Sequence, residues 1–355
     1  MIIVTRSQVT DTEHQQVVEL LQQQAGSQRP ISAITMQGRR VITIDGNSLD
    51  AQTHSALSQH RAVERIVSTH TPYQLVSRAF QSEDSRVVVG DLPGSRSVTI
   101  GGSAPVIIAG PCAVESREQL LEIARAVKSA GAQVLRGGAF KPRTSPYQFQ
   151  GLGIEGLQFL AEAREETGLP VITEVMEPAM VDVVSQYADI LQIGSRNMQN
   201  FPLLQAAGSS PARRPVMLKR GLASTIDEWL LAAEYIVAAG NPNVILCERG
   251  IRSFDSHTRN LLDLTCVPLL HELTHLPVIV DPSHATGRRE LVTTMSRAAI
   301  AAGAHGLIIE THTDPDRALC DGRQSITPAQ LQIIARETRL LAQIMNEAAV
   351  LAYAA

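Results

Sequence analysis

No apolar run in the 355-residue sequence approaches the ~18 residues a helix needs to cross a bilayer, and Met1 to Arg6 holds no basic stretch leading into a long apolar one. A membrane span and a secretory leader are therefore not expected, and the expectation is a cytoplasmic protein with no membrane partner. Cysteine is sparse. Cys112, Cys247, Cys266 and Cys320 are scattered without close pair spacing, which in a large chain argues against a disulfide framework and leaves room for a metal ligand among them. Positive charge is not in excess either: 31 Lys and Arg stand against 35 Asp and Glu, a net charge of -4 and a pI near 6.2. No global field then draws nucleic acid or an anionic membrane, so any basic cluster must be local and have a local purpose.

What is present is enough apolar material, 44% of residues, for a large core, in a chain whose length suits one barrel and one smaller module. Over residues 1–70 the pattern predicts strands at 2–5, 31–36, 40–44 and 63–68 with helices at 11–24 and 49–59. That βαββαβ order is the ferredoxin-like plan, with Gly38 and Asp45-Gly46 where turns are needed. His14, His54, His60 and His70 read as solvated polar residues, not as a site. Residues 71–104 read first as a polar linker with some packing residues, long enough for rigid-body movement of the module before it. A hairpin of 86–90 with 97–100 follows, placed to plug the bottom of what comes next.

From residue 105 to 355 short, nearly continuous apolar runs alternate with helical periodicity, the mark of parallel strands covered by helices. Strands are expected at 106–112, 133–137, 171–175, 190–195, 216–221, 244–249, 278–281 and 306–311. Helices are expected at 116–130, 154–167, 224–239, 288–302 and about 327–349. Eight such repeats make a (β/α)8 TIM barrel in the α/β class, whose active site lies at the C-terminal ends of its strands.

Chemistry gathers at those ends. The stretch from Leu135 to Pro146 follows a strand with glycines and three cations, Arg136, Lys141 and Arg143, as an anion-holding loop requires. Strands one, seven and eight supply Cys112, His284 and Glu310, with Asp321 in the loop after strand eight, and barrel closure makes these neighbours. A thiolate, an imidazole and two carboxylates suit a divalent manganese, iron, cobalt or zinc ion better than calcium or magnesium. Facing them, Arg136, Lys141, Arg143, Arg196, Lys219 and Arg249 form an arc of cations, with Glu174, Glu177 and Glu248 nearby, and His312 stands at the end of strand eight beside Glu310. Such an arc needs a bound anion: a substrate with several negative charges, or two phosphorylated substrates.

Six motifs in order, Ala109-Gly-Pro-Cys-Ala-Val-Glu-Ser116, Arg136-Gly-Gly-Ala-Phe-Lys-Pro-Arg-Thr-Ser-Pro146, Leu218-Lys-Arg-Gly221, Cys247-Glu-Arg-Gly250, Asp281-Pro-Ser-His284 and Asp321-Gly-Arg-Gln324, together resemble 3-deoxy-7-phosphoheptulonate synthases. The likeness is to the metal-dependent, single-barrel type with an N-terminal ferredoxin-like regulatory domain. It implies condensation of phosphoenolpyruvate with erythrose 4-phosphate at the entry to the shikimate pathway, in a homotetramer or homodimer. The family's metal ligands fall on Cys112, His284, Glu310 and Asp321. Its phosphoenolpyruvate contacts fall on Arg136, Lys141, Arg196, Lys219 and Arg249, and its sugar-phosphate contacts on Pro142, Arg143 and Thr144. Cys112, Lys141 and His284 are the expected catalytic residues, with Lys141 or a metal-bound water, and His284, as the candidates for handling protons. The resemblance further implies an aromatic amino acid effector, tyrosine or phenylalanine, on the first module. Two alternatives compete. The related 3-deoxyoctulosonate 8-phosphate synthases resemble Lys-Ala-Asn-Arg where this chain has Lys141-Pro-Arg-Thr, and a non-catalytic phosphometabolite sensor would have lost a ligand or Lys141, which this chain keeps.

Overall fold

The structure, a computed structural model, describes residues 1–25, 31–36, 39–44, 49–68, 71–143 and 145–353. The first module is β1 (Ile2–Thr5), α1 (Asp11–Ala25), β2 (Ile31–Met36), β3 (Arg39–Ile44), α2 (Ala51–Gln59) and β4 (Val63–Val67), with an antiparallel sheet in the order β2-β3-β1-β4. This is the expected ferredoxin-like arrangement, and it follows from period-two alternation along β1 and β3. Ile3, Ile42 and Ile44 join Val17, Leu21 and Leu57 in one apolar cluster under the helices, while Ile2, Val4 and Val41 belong to the cluster of the barrel. The turns at Gly38 and Asp45-Gly46, and His70, lie outside the described residues.

The barrel strands are β7 (Val106–Gly110), β8 (Val134–Arg136), β9 (Val171–Glu174), β10 (Ile190–Ile193), β11 (Val216–Lys219), β12 (Val244–Glu248), β13 (Val278–Val280) and β14 (Gly306–Glu310). They close as one parallel ring in which β14 pairs with β7. Around them lie α3 (Arg117–Ala130), α4 (Ile154–Thr167), α5 (Val181–Ser185), α6 (Phe201–Ser209), α7 (Ile226–Ala238), α8 (Cys266–Leu273), α9 (Pro282–Thr286), α10 (Arg289–Ala301) and α11 (Pro328–Tyr353). Both faces of every strand are covered, which is why the runs are apolar throughout. The α7 residue Trp229, fully buried, donates its indole N–H to the Leu218 carbonyl at 3.1 Å and so locks that helix to β11. Among the described residues, no helix is long and apolar enough to cross a membrane.

The barrel interior is layered. At the bottom β5 (Val87–Val89) and β6 (Val98–Ile100) pair as a hairpin, whose Val87, Val89 and Ile100 cluster with an apolar ring that includes Ile108, Val134, Ile172, Met217, Ile245 and Ile308. Two residues further along the strands, the same inward face carries Arg136, Glu174, Lys219 and Glu310. The expected strands overshot the observed ends by one to two residues, because the last of those positions lie beyond the final ladder bonds, in loops that reach over the mouth.

The segment 71–85, expected as a linker with some packing residues, packs more fully than that. Tyr73, Leu75 and Val76 are buried, the Leu75 and Val76 amides donate to the two Glu234 carboxylate oxygens at 2.8 and 3.0 Å, and Arg78 donates twice to the His271 carbonyl. Its packing residues form an apolar stripe that docks on α7 and α8, an extent its polar composition does not reveal.

At the foot of the barrel His305 stands 5.0 Å from the His271 ring and accepts the Val278 amide on Nδ1 at 3.1 Å. Burial, then the neighbouring His271, push its pKa from 6.5 down to about 4. The unfolded chain therefore takes up this proton first, so the contribution to stability is complete above 6.5 and is lost as the pH falls toward 4. We expect His305→Asn to flatten the pH dependence of the denaturant midpoint in that window, by about 2–3 kcal/mol across it. Parallel curves for the two proteins would refute this role.

Candidate active site and metal centre

Gly110 ends β7 with φ 152°, and a Cβ there would lie 2.1 Å from the Arg136 carbonyl oxygen. Only glycine lets β7 and β8 approach so closely, and the approach brings Cys112 and Arg136 together at the mouth. Arg136 donates to the Cys112 carbonyl at 3.1 Å and to Glu310 Oε1 at 2.9 Å. Opposite them, Asp281 caps α9: its Oδ1 accepts the His284 amide at 2.9 Å and its Oδ2 the His284 Nδ1–H at 2.7 Å. That leaves Nε2 facing inward, 3.1 Å from Glu310 Oε1. Asp321 closes the group with Oδ2 at 3.4 Å from the Cys112 sulfur.

One donor atom from each of Cys112, His284, Glu310 and Asp321 lies within 4.8 Å of the others. The electrostatics fit a divalent ion. Burial keeps the His284 imidazole neutral, as a ligand must be. Burial alone would raise the Asp281 and Glu310 carboxyls, but His284 with Lys219 in one case, and His284 with Arg136 in the other, hold both below the usual range. The bond to the Cys320 thiol, burial and the Glu310 charge hold the Cys112 thiol well above its usual range, so its proton leaves most readily in exchange for a cation.

Beside this group lies a cleft of about 340 Å³, lined by Arg136, Lys141, Pro142, Arg143, Arg196, Lys219 and Arg249. Lys219 is paired with Asp281 at 2.6 Å and Arg136 with Glu310. Among the described residues, no carboxylate lies within 4.0 Å of Lys141, Arg143, Arg196 or Arg249. Burial works most strongly against the Lys141 ammonium, yet Cys112, whose sulfur is 3.1 Å away, Cys320 and Glu310 together outweigh it and hold Lys141 above its usual range. Arg136 Nε is buried with no hydrogen-bond partner. Four uncompensated cations and an open donor make a site for a polyanion.

The other expected residues separate. Glu174 lines the cleft, held by Gln192 at 3.3 Å, whereas Glu177 is exposed away from it. Glu248 points outward into a triplet with Arg220 and Asp263, which Arg220 joins at 3.1 and 2.8 Å. His312 turns to Gln119 and the Asp314 amide. Thr144 lies outside the described residues. Three neighbours of the metal group went unassigned in the sequence: Cys320, with its sulfur 3.2 Å from that of Cys112, Gln324 on Glu310 at 2.6 Å, and Arg259, 3.6 Å from Asp321. Gln324 stood within a recognised motif, but nothing in the sequence marked the other two.

A model of the DAHP synthetase I family matches residues 78–347. The chain belongs to the DAHP synthetase I family. Within it, the chain is 46% identical over 353 residues to phospho-2-dehydro-3-deoxyheptonate aldolase of Thermotoga maritima, covering 98% of this chain and 99% of that one. The crystal structure of the Thermotoga maritima aldolase superposes with a TM-score of 0.74 and 45% identity over 97% of both chains. A 2-dehydro-3-deoxyphosphooctonate aldolase of Nitrobacter hamburgensis is 38% identical over 267 residues, covering 69% of this chain and 90% of its own. The likeness to the DAHP enzyme is thus higher and spans the N-terminal module as well, and the heptulosonate reading of the motifs holds over the octulosonate one.

The Arg220 triplet is structural. Arg220→Met leaves Glu248 and Asp263 facing each other uncompensated, and should lower stability by about 3–5 kcal/mol while anion affinity at the cleft stays within about twofold. A loss of affinity at unchanged stability would instead place Arg220 in the site.

Proposed function

We propose that the chain condenses phosphoenolpyruvate with D-erythrose 4-phosphate and water to give 3-deoxy-D-arabino-heptulosonate 7-phosphate and phosphate, using a divalent metal ion held by Cys112, His284, Glu310 and Asp321. The observation that carries this reading is the pairing of that donor group with four uncompensated cations in one cleft. Manganese, iron, cobalt or zinc fits the mixed donors, and when bound such an ion supplies a Lewis acid for the aldehyde oxygen of the sugar phosphate.

The chain's own residues bind, orient and move protons. Arg136, Lys141, Arg196, Lys219 and Arg249 grip the carboxylate and phosphate of phosphoenolpyruvate, with the partnerless Arg136 Nε among the donors. Pro142 and Arg143, which line the same cleft, take the sugar phosphate, and Thr144 is assigned to it by the resemblance alone. Held so, the methylene carbon faces the aldehyde carbon, and positioning of this kind supplies much of the rate. Lys141, charged and buried, is the group placed to deliver a proton to the oxygen that develops negative charge. His284 is oriented by Asp281, while burial holds its pKa below the ordinary value. Lys141 and every member of the donor group are retained, which supports an enzyme over a sensor.

The test is phosphate release, assayed with phosphoenolpyruvate and a panel of aldose phosphates. Exhaustive chelation should abolish turnover, added manganese or cobalt should restore it, and erythrose 4-phosphate should be preferred. Full activity in protein shown by elemental analysis to be metal-free would sink the metal assignment, and preference for a five-carbon acceptor would sink the substrate.

We propose further that residues 1–70 form a regulatory module that pairs between subunits and takes an aromatic amino acid. Ser32, Thr35 and His54 are the polar groups on offer, and the module contributes none of the residues that line the cleft. The docking of Tyr73, Leu75 and Val76 sets where to cut: a truncation must begin at Thr71, because starting at Ser85 would strip an apolar seam from α7 and α8. The 71–355 chain should keep most of its turnover and lose inhibition by tyrosine and phenylalanine. Inhibition as strong as in the full chain would move the effector to the barrel.

A further inference from the structure

One loop that the roles above leave unused reaches three of the four donor residues. After β12 the chain crosses the mouth and lies along α9 before entering α8. There the Arg259 amide donates to the Thr286 carbonyl at 2.9 Å and the Asn260 amide to the Ala285 carbonyl at 2.8 Å. The Asn260 side-chain amide donates to the His284 carbonyl at 3.1 Å. These are carbonyls of a five-residue helix that have no partner further along it, so the loop completes the bonding of the element that carries His284. Gly287 ends that helix at φ 67°, and a Cβ there would sit 2.6 Å from Arg259 Cβ, so the loop needs a floor without a side chain.

From that anchored backbone the Arg259 guanidinium reaches inward. Nη1 donates to Gln324 Oε1 at 3.0 Å and lies 3.6 Å from Asp321 Oδ2. Gln324, 3% exposed, passes the contact on through Nε2 to Glu310 Oε2 at 2.6 Å. Its amide orientation is fixed from both ends, since the oxygen faces an arginine and the nitrogen a carboxylate. The other Glu310 oxygen is taken by Arg136 and His284 Nε2. Glu310 is therefore held on one side by the anion cleft and on the other by this relay.

We infer that Arg259 and Gln324 are positioning residues of the metal centre. Their relay sets Glu310 and Asp321 while Asn260 seats the helix of His284, and a divalent ion binds with full affinity only when the loop over α9 is in place. This rests on the reading of Cys112, His284, Glu310 and Asp321 as metal ligands. Arg259 also borders the cleft, and the rival role is one more cation for substrate. Its partners argue otherwise: Arg259 already has a carboxylate and a buried amide, whereas among the described residues Lys141, Arg143, Arg196 and Arg249 have no carboxylate partner.

The experiment uses the full chain, stripped with a chelator and titrated with cobalt(II), reading the thiolate-to-cobalt absorption band, with no substrate present. Wild type should bind one cobalt per chain. Arg259→Met and Gln324→Leu should each weaken cobalt binding roughly ten- to hundredfold, the range seen when outer partners of metal ligands are removed. The double variant should be little worse than the weaker single one, because the two act in series. Phosphoenolpyruvate binding to the metal-free protein, measured by calorimetry, should stay within about twofold. If Arg259→Met does not fold, Gln324→Leu decides alone. Cobalt affinity unchanged in the folded variants, a fully additive double variant, or lost phosphoenolpyruvate affinity at normal cobalt affinity would each overturn the inference. Wild type that binds no cobalt overturns the reading beneath it as well, and is seen before any variant is compared.

Discussion

A single buried carboxylate ties the two halves of the site into one frame. Asp281 is fully enclosed, pairs with Lys219 on β11 at 2.6 Å, orients His284 at 2.7 Å and caps the helix that bears it. An isolated ion in such a place would cost several kcal/mol in lost hydration, and what offsets that cost here is the completeness of its bonding. The cation arc and the donor group cannot drift apart while this residue is ionised. Lys219 is thereby neutralised as a repulsive neighbour, and the uncompensated charge is left to the four cations around it.

That arrangement explains how a chain of net charge -4 presents a concentrated positive cleft. Arg136 and Lys219 are spent on Glu310 and Asp281, so two of the buried cations are already matched. The others line the same cleft, where phosphate groups displace water to reach them. Field lines focus in such a cleft more than over an open face, because the barrel wall behind it is apolar and of low polarisability.

The strands were legible because burial on both faces forces long apolar runs, and their inward residues follow from the alternation of side chains. Applied strictly, that alternation also sorts the charged pairs at the strand ends. Met217 points into the barrel, so Lys219 does and Arg220 does not; Cys247 points in, so Arg249 does and Glu248 does not. Reading strand ends as a group blurred this, and Glu248 entered the cleft on paper. Glu177 and His312 failed differently, for both stand beyond the last ladder bonds, where a loop can turn a side chain either way. Cys320, Arg259 and the role of Gln324 were not legible at all. Cys320 meets Cys112 only when barrel closure brings the loops after β14 and β7 together, and Arg259 meets Gln324 only once the loops after β12 and β14 have met. The docked stretch after the first module was hidden for a composition reason: Tyr73, Leu75, Val76 and Phe80 are diluted by polar neighbours that face solvent or bond to backbone.

That stretch changes the mechanics of the molecule. Thr274 Oγ1 bonds the Val76 carbonyl, His275 holds the Leu75 carbonyl at 2.8 Å, and Arg65 of the first module reaches the Phe80 carbonyl at 2.6 Å. The connection is a weld along the flank, not a tether. With Arg65 bonded to it and Ile2, Val4 and Val41 packed into the barrel's apolar cluster, the first module is seated on the flank and not hung from it. Torque on it is delivered to α7 and α8, the helices behind the wall that carries Lys219, and the barrel feels the load from its back before anything reaches its mouth.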